Sequence, residues 1–248
     1  MAKQVLTFMF HRVDCTQTRC CPKQFAKYLD YLVNHFPIVT PDDPLDAALS
    51  VCLTFDDAYY DFYHHVFPLL QRYQIKAILA VPTHYILADT PLDAKVRLSV
   101  PYPQGMQTPL YQQKAPFCTW KEIKEMADSP WVQIASHSVS HANLAHPQTN
   151  IEQEVMLSQQ ILEQHLNRKI RYFVYPYGKM TRTVHHYVQQ HYDYGIRIGS
   201  AINYGWDQKN RHLYRVDADA LWKANIPISR LFIHKISLKY WANRLRAK

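Results

Sequence analysis

Glycine is scarce in this 248-residue chain, with only five residues against 15 prolines and 18 tyrosines. So few glycines argue against a glycine-rich phosphate cradle, and the prolines and tyrosines point to rigid turns around aromatic-lined surfaces. Acids are the minority, 20 against 28 lysines and arginines. The resulting charge of +8 points to a polyanion or an anionic membrane surface as partner without choosing between them. The five cysteines, Cys15, Cys20, Cys21, Cys52 and Cys118, are odd in number and lack Cys-x-x-Cys spacing. That argues against a cysteine zinc site or a disulfide framework and fits a reducing compartment. No stretch reaches the roughly eighteen uninterrupted apolar residues of a membrane span. The run Val5 to Phe10 is broken at once by His11 and Arg12. With no small-residue cleavage site after it, it reads as a first strand rather than a leader, and an intracellular protein is expected. The apolar content of 48% is that of an ordinary globular domain and excludes disorder and collagen-like structure.

Short apolar runs alternate with helical patterns. The runs are Val5 to Phe10, Val51 to Phe55, Ile75 to Val81, Val132 to Ala135, Arg171 to Tyr175, Gly195 to Ala201 and Leu213 to Val216. Helices are expected over Gln24 to Val33, Tyr59 to Tyr73 with a kink at Pro68, and Trp120 to Ala127 behind a Thr119-x-x-Glu122 capping box. Another is expected from a Thr149-x-x-Glu152 box through Val155, Ile161 and Leu166. About seven parallel strands with crossover helices predict a barrel-like α/β domain with its chemistry at the C-terminal strand ends. One domain over 1–248 is expected, with a loop insertion at 82–118. The stretch Pro82 to Pro116 carries six prolines and few periodic apolar residues. Its length favours a lid or substrate wall over a linker.

Four strand ends carry chemistry. Leu53-Thr54-Phe55-Asp56-Asp57 places two carboxylates where a buried run stops, an expensive position unless a cation is there. Ser136-His137-Ser138-Val139-Ser140-His141 offers imidazoles at i and i+4. Fourteen histidines in this length give about one such pair by chance, so placement after a strand says more than spacing. Asp57, His137 and His141 together make a two-histidine, one-carboxylate set with coordination positions left open, which leaves Asp56 as a base. Phe173-Val174-Tyr175-Pro176-Tyr177-Gly178 ends a third strand in a turn that either offers N–H groups to an oxyanion or simply stops the strand. His11 ends the first strand.

These motifs resemble the polysaccharide deacetylase family, carbohydrate esterase family four, whose NodB-homology fold is a distorted (β/α)7 barrel. Thr54-Phe55-Asp56-Asp57 is similar to its first motif, which implies Asp56 as base and Asp57 as metal ligand. His137-Ser138-Val139-Ser140-His141 is similar to its second, which implies both histidines as ligands. The third motif lacks the family's usual arginine. Val174-Tyr175-Pro176-Tyr177-Gly178 instead resembles the branch of biofilm poly-N-acetylglucosamine deacetylases. Phe10-His11-Arg12-Val13 resembles that branch's N-terminal Tyr-His-x-Val element, a permuted form of the general-acid motif, which implies His11 as the acid. Ala58 stands where the family has glycine, and the family's fourth motif is not recognisable. Ala201 to Trp206 and Leu213-Tyr214-Arg215-Val216 resemble what that branch has after its last strands.

The resemblance implies hydrolysis of the acetamide of an N-acetylhexosamine with a divalent metal, most often Zn2+, with Co2+, Ni2+, Mn2+ or Fe2+ as alternatives. The expected catalytic pair is Asp56 and His11, the metal ligands are Asp57, His137 and His141, and substrate and oxyanion contacts come from Tyr175, Pro176 and Tyr177. Without a leader, the expected substrate is a cell-envelope glycan precursor on a lipid phosphate or a nucleotide, handled in the cytoplasm or at the inner face of its membrane. Deformylation, ester hydrolysis and a degenerate carbohydrate-binding module are the alternatives. Nucleic acid is not an expected partner, because the positive charge is spread along the chain. Residues 228–246 read as a basic amphipathic helix suited to an anionic membrane or to docking on the barrel. His234 falls within it, away from any acid role.

Overall fold

A computed structural model describes residues 3–13, 21–206, 212–219 and 228–246. Strands β1 (Gln4–Phe10), β2 (Leu49–Phe55), β3 (Ala77–Val81), β4 (Val132–Ser136), β5 (Tyr172–Val174), β6 (Tyr194–Ile198), the short β7 (Asn203–Tyr204) and β8 (Leu213–Asp217) form one sheet. Seven of them run parallel in the order β2-β3-β4-β5-β6-β8-β1, and β1 pairs with β2 to close the barrel. β7 is the strand that patterning does not announce, and it lies antiparallel to the start of β1. β1 and β8 pair only at Phe8↔Val216 and Met9↔Asp217. Below that, the Asn203 side chain donates to Tyr214 O at 2.9 Å and accepts from Tyr214 N at 2.8 Å, satisfying backbone groups that a full ladder would otherwise pair.

The pleat sorts the core into two separate clusters. Val5, Cys52, Ile78, Ala80, Ala135, Tyr172, Val174, Ile196 and Leu213 pack together as one. The alternate residues, such as Leu6, Phe8, Leu53, Leu79, Phe173 and Tyr214, pack with the helices α1 (Pro22–His35), α2 (Phe67–Tyr73), α5 (Trp120–Asp128), α6 (Ser158–Leu166) and α7 (Arg182–His191). This period-2 alternation, carried past the strand ends, decides which side chains reach the barrel mouth.

Local signals act where the chemistry demands. Thr119 and Glu122 form the expected reciprocal cap on α5. The helix after Thr149 is capped instead by Asn150, whose Oδ1 accepts from Gln153 N, while Thr149 donates to Asn143 O. The expected kink at Pro68 is a π-type turn, Phe62–Val66, that widens the helix just ahead of the proline. Residues 82–118 are not a bare loop. They include α3 (Ala94–Leu98), α4 (Leu110–Lys114) and further single turns, and bury Val100, Tyr111, Phe117 and Arg97. Arg97 donates to Ala115 O, Phe117 O and both Glu122 oxygens, a charge replacing the apolar periodicity the stretch lacks.

The C-terminal helix α8 (Arg230–Arg246) is not amphipathic in the expected sense. Ile236 and Tyr240 are buried, while Leu231, Leu238, Trp241 and Leu245 on the opposite side are exposed. Apolar side chains thus occupy two faces and their directions cancel. Among the described residues, no helix is long and apolar enough to cross a membrane.

Candidate active site

The ends of β1, β2, β4 and β8 bring His11, Asp56, Asp57, His137, His141, Arg215 and Asp219 to one mouth. Asp57 is fully buried and backbone-strained, with φ 70°, and Ala58 follows at φ 53°. Ser138, His141 and Tyr177 are also left-handed, so five of the nine described non-glycine residues with positive φ belong to the loops that carry the site. Glu154, buried in a π-type turn over Gln153–Leu157, fixes the loop between the two histidines. It accepts from Val139 N at 3.0 Å, Ser140 N at 2.9 Å and Ser140 Oγ at 2.6 Å.

Asp57, His137 and His141 each turn one ligand atom toward a common point, all within 4.8 Å of one another. Asp57 Oδ1 lies 3.6 Å from His137 Nε2 and 3.4 Å from His141 Nε2. Two ligands of a tetrahedral zinc ion, each about 2.1 Å from it, stand roughly 3.4 Å apart, so the spacing fits. Asp57 Oδ1 accepts no hydrogen bond although it is buried, as a carboxylate oxygen reserved for a cation would be. His137 Nδ1 donates to Val174 O at 2.8 Å, which leaves the Nε2 lone pair facing the cradle. Burial outweighs the neighbouring carboxylates and lowers the His137 pKa to about 4, which keeps the ring in its ligating neutral form.

Asp56 stands beside the cradle, its Oδ2 3.9 Å from His137 Nε2 and 4.0 Å from His11 Nε2. The fully buried Arg215 grips it with both nitrogens, Nη1 to Oδ1 at 2.6 Å and Nη2 to Oδ2 at 2.9 Å. Burial alone would raise the Asp56 pKa, but the Arg215 charge overcomes it and holds the carboxyl well below its ordinary range. The arginine missing from the third motif is therefore supplied by β8. Leu213 packs in the inner cluster, and Arg215, two residues on, shares its side of the strand. A charge at the inward position of an apolar strand was the signal in the sequence.

His11 Nδ1 lies 2.6 Å from Asp219 Oδ2, and His11 N donates to Asp219 Oδ1 at 3.0 Å. Burial would lower the imidazole pKa, but the Asp219 hydrogen bond and the Asp56 charge raise it to about 9. At neutral pH His11 is a cation whose Nε2–H faces the site. From the 82–118 stretch, Tyr102 donates to Asp57 Oδ2 at 2.8 Å and sets its ring edge-on to His11. Asp219, Glu154 and Tyr102 are neighbours of the site that motif reading misses, and it reaches Arg215 only within Leu213-Tyr214-Arg215-Val216, without a role.

The third-motif residues divide. Tyr177 is 59% exposed, with its ring 4.6 Å from that of His141, and Pro176 is buried beneath it. Tyr175 does not reach the mouth. Its side chain is fully buried, and its hydroxyl lies 2.7 Å from His185 Nδ1. It follows Val174, which packs in the inner cluster, so strand parity turns Tyr175 toward the helices.

Comparison with known proteins agrees with the family resemblance and the barrel. The family model described as polysaccharide deacetylase matches residues 46–196. A poly-beta-1,6-N-acetyl-D-glucosamine N-deacetylase from Escherichia coli is 37% identical over 89 residues. That match spans 36% of this chain and only 12% of the relative's length. Among solved structures, the Streptococcus pyogenes deacetylase PplD superposes with a TM-score of 0.67 at 20% identity, covering 92% of this chain and 100% of that one. IcaB from Ammonifex degensii gives a TM-score of 0.67 at 22% identity, with 89% and 94% coverage. At such identities the two superpositions establish the closed (β/α)7 barrel.

Proposed function

We propose that this chain, which belongs to the polysaccharide deacetylase family, hydrolyses the acetamide of an N-acetylhexosamine, either in a glycan or in a lipid-phosphate-linked or nucleotide-linked precursor. The observation that carries the reading is one mouth holding an open Asp57–His137–His141 cradle between an arginine-clamped Asp56 and a charged His11. Zinc is the expected occupant, and a bound divalent cation would polarise the acetamide carbonyl and acidify water. Asp56, kept ionised and aimed by Arg215, takes the proton of the attacking water. His11 carries the complementary proton on Nε2 and delivers it to the departing amine, which cannot leave unprotonated. Asp219 holds Nδ1–H, so the proton is released from the nitrogen that faces the site. Tyr177, exposed beside His141, lines the approach to the sugar.

The test is acetate release by zinc-loaded protein from poly-β-1,6-N-acetylglucosamine oligomers and from lipid-phosphate-linked and nucleotide-linked N-acetylglucosamine. Release from any of them that disappears in His137→Ala supports the reading. Formate released from N-formyl analogues in place of acetate would reassign the acyl group. No product from any, with zinc bound, would leave a carbohydrate-binding module.

A lipid-linked substrate calls for a membrane partner, and the outer face of α8 is suited to an anionic one. Leu231, Leu238 and Leu245, seven residues apart, share that face with Trp241 and are all more than half exposed. Lys235 and Lys239 lie on one side of the stripe and Arg230 and Arg244 on the other, and the helix contains no acid. Sedimentation with phosphatidylglycerol vesicles but not with phosphatidylcholine, abolished in Leu238→Glu, is the expected result. A dimer in light scattering that the same change dissolves would assign the face to a second copy.

A further inference from the structure

Asp57 has two oxygens with different fates. Oδ1 faces the two imidazoles and accepts no hydrogen bond, while Oδ2 accepts the Tyr102 hydroxyl at 2.8 Å. Since Asp57 is fully buried, an Oδ2 without that donor would be an unsatisfied charged oxygen free to turn toward the cradle. Tyr102 is itself held in place. Its carbonyl accepts from Tyr59 Oη at 2.7 Å, and the stretch before it is tied to the end of β1 by Arg12, which donates to Val100 O at 2.6 Å. The Tyr59 ring lies against Gly105, where a Cβ would come within 2.2 Å of its hydroxyl.

We propose that Tyr102 is a positioning residue for the metal ligand, occupying Asp57 Oδ2 so that the carboxylate offers Oδ1 alone, and that it thereby couples order in residues 82–118 to metal occupancy. This rests on the metal-site reading above. The coupling follows from linkage. If the ordered 82–118 segment tightens the cradle, a bound cation must steady that segment to the same degree. The donor acts on the ligating carboxylate through its other oxygen and not on the ion, and loss of such outer partners typically weakens metal affinity about 10- to 100-fold.

Tyr102→Phe keeps the ring against His11 and Tyr59 and removes only the hydroxyl. Zinc affinity measured by competition with a chromophoric chelator should fall about 10- to 100-fold. Tyr111→Phe, whose hydroxyl lies beside His84 in the same segment, should leave it unchanged. In the wild type, zinc should slow chymotryptic cleavage within 82–118, and this measurement needs no variant to fold. Wild-type affinity in a folded Tyr102→Phe, or cleavage indifferent to zinc, overturns the proposal. A wild-type chain that binds no zinc overturns the metal-site reading as well, so the two failures are distinct.

Discussion

Asp219→Asn removes one negative charge from the His11 pair and keeps the side chain's size. His11 is raised from 6.5 to about 9, against the opposing effect of burial, by Asp219 and Asp56 together. Losing an opposite charge in hydrogen-bond contact lowers a pKa by about 1–3 units, which brings His11 to between about 6 and 8. In the proposed reaction His11 must be protonated in the free enzyme, so the alkaline limb of kcat/KM moves from about 9 to that range. At about pH 8.5 the variant should lose from roughly threefold to more than a hundredfold on an amide, and at about pH 6 roughly twofold or less. An activated aryl acetate, whose leaving group needs no proton, should lose much less at both. Stability supplies a check without substrate. A histidine pKa raised on folding stabilises fully below 6.5, and that contribution fades as pH rises through about 9. The wild type should therefore lose about 1–4 kcal/mol more than Asp219→Asn between about pH 6 and pH 10 in urea unfolding. An amide loss that is the same at both pH values, or an alkaline limb still near 9, refutes this account of the pair.

Asp56→Asn should keep its zinc, measured by mass spectrometry, and lose about 10²–10⁴-fold in acetate release, and full activity would remove Asp56 from the base role. Ala58→Gly relieves a left-handed residue worth about 1–2 kcal/mol but gives up a buried methyl of about 0.8 kcal/mol and frees the unfolded chain. Its melting temperature should stay within about 4 °C of wild type, whereas Ala80→Gly in β3, with no strain to relieve, should fall further; equal losses would mean that Ala58 is unstrained. Arg97→Ala leaves the largely buried Glu122 without its partner and should cost about 3–5 kcal/mol in denaturant melts, with faster proteolysis inside 82–118. A loss below about 1 kcal/mol would show that this buried pair does not hold the segment.

Much of this molecule is legible in one dimension. Seven apolar runs separated by helical periods specify parallel strands and crossovers, because alternation and 3.6-residue spacing are local properties. Asp56, Asp57, His137, His141 and His11 are equally readable, since each lies within five residues of the C-terminal end of a strand and carries chemistry that a strand end seldom needs. Tyr175 stands at such an end too, and only parity along β5 tells that it faces the helices. The two-faced pattern of α8 was written in the sequence as well, but which face would be covered was not, because that depends on where Tyr204 and Tyr214 stand to receive Tyr240.

The sequence by itself determined the barrel, the strand ends and the set of ionisable groups available to them. Tertiary structure decided the pairings that give those groups their properties. Arg215 meets Asp56 across 159 residues and Asp219 meets His11 across 208. Neither separation leaves a local pattern, because barrel closure, with β1 lying between β2 and β8, sets both contacts. Tyr102 is one of 18 tyrosines until a segment without periodic apolar residues folds over the mouth. Charge states follow from these long-range contacts and from burial, the two quantities a linear chain does not carry.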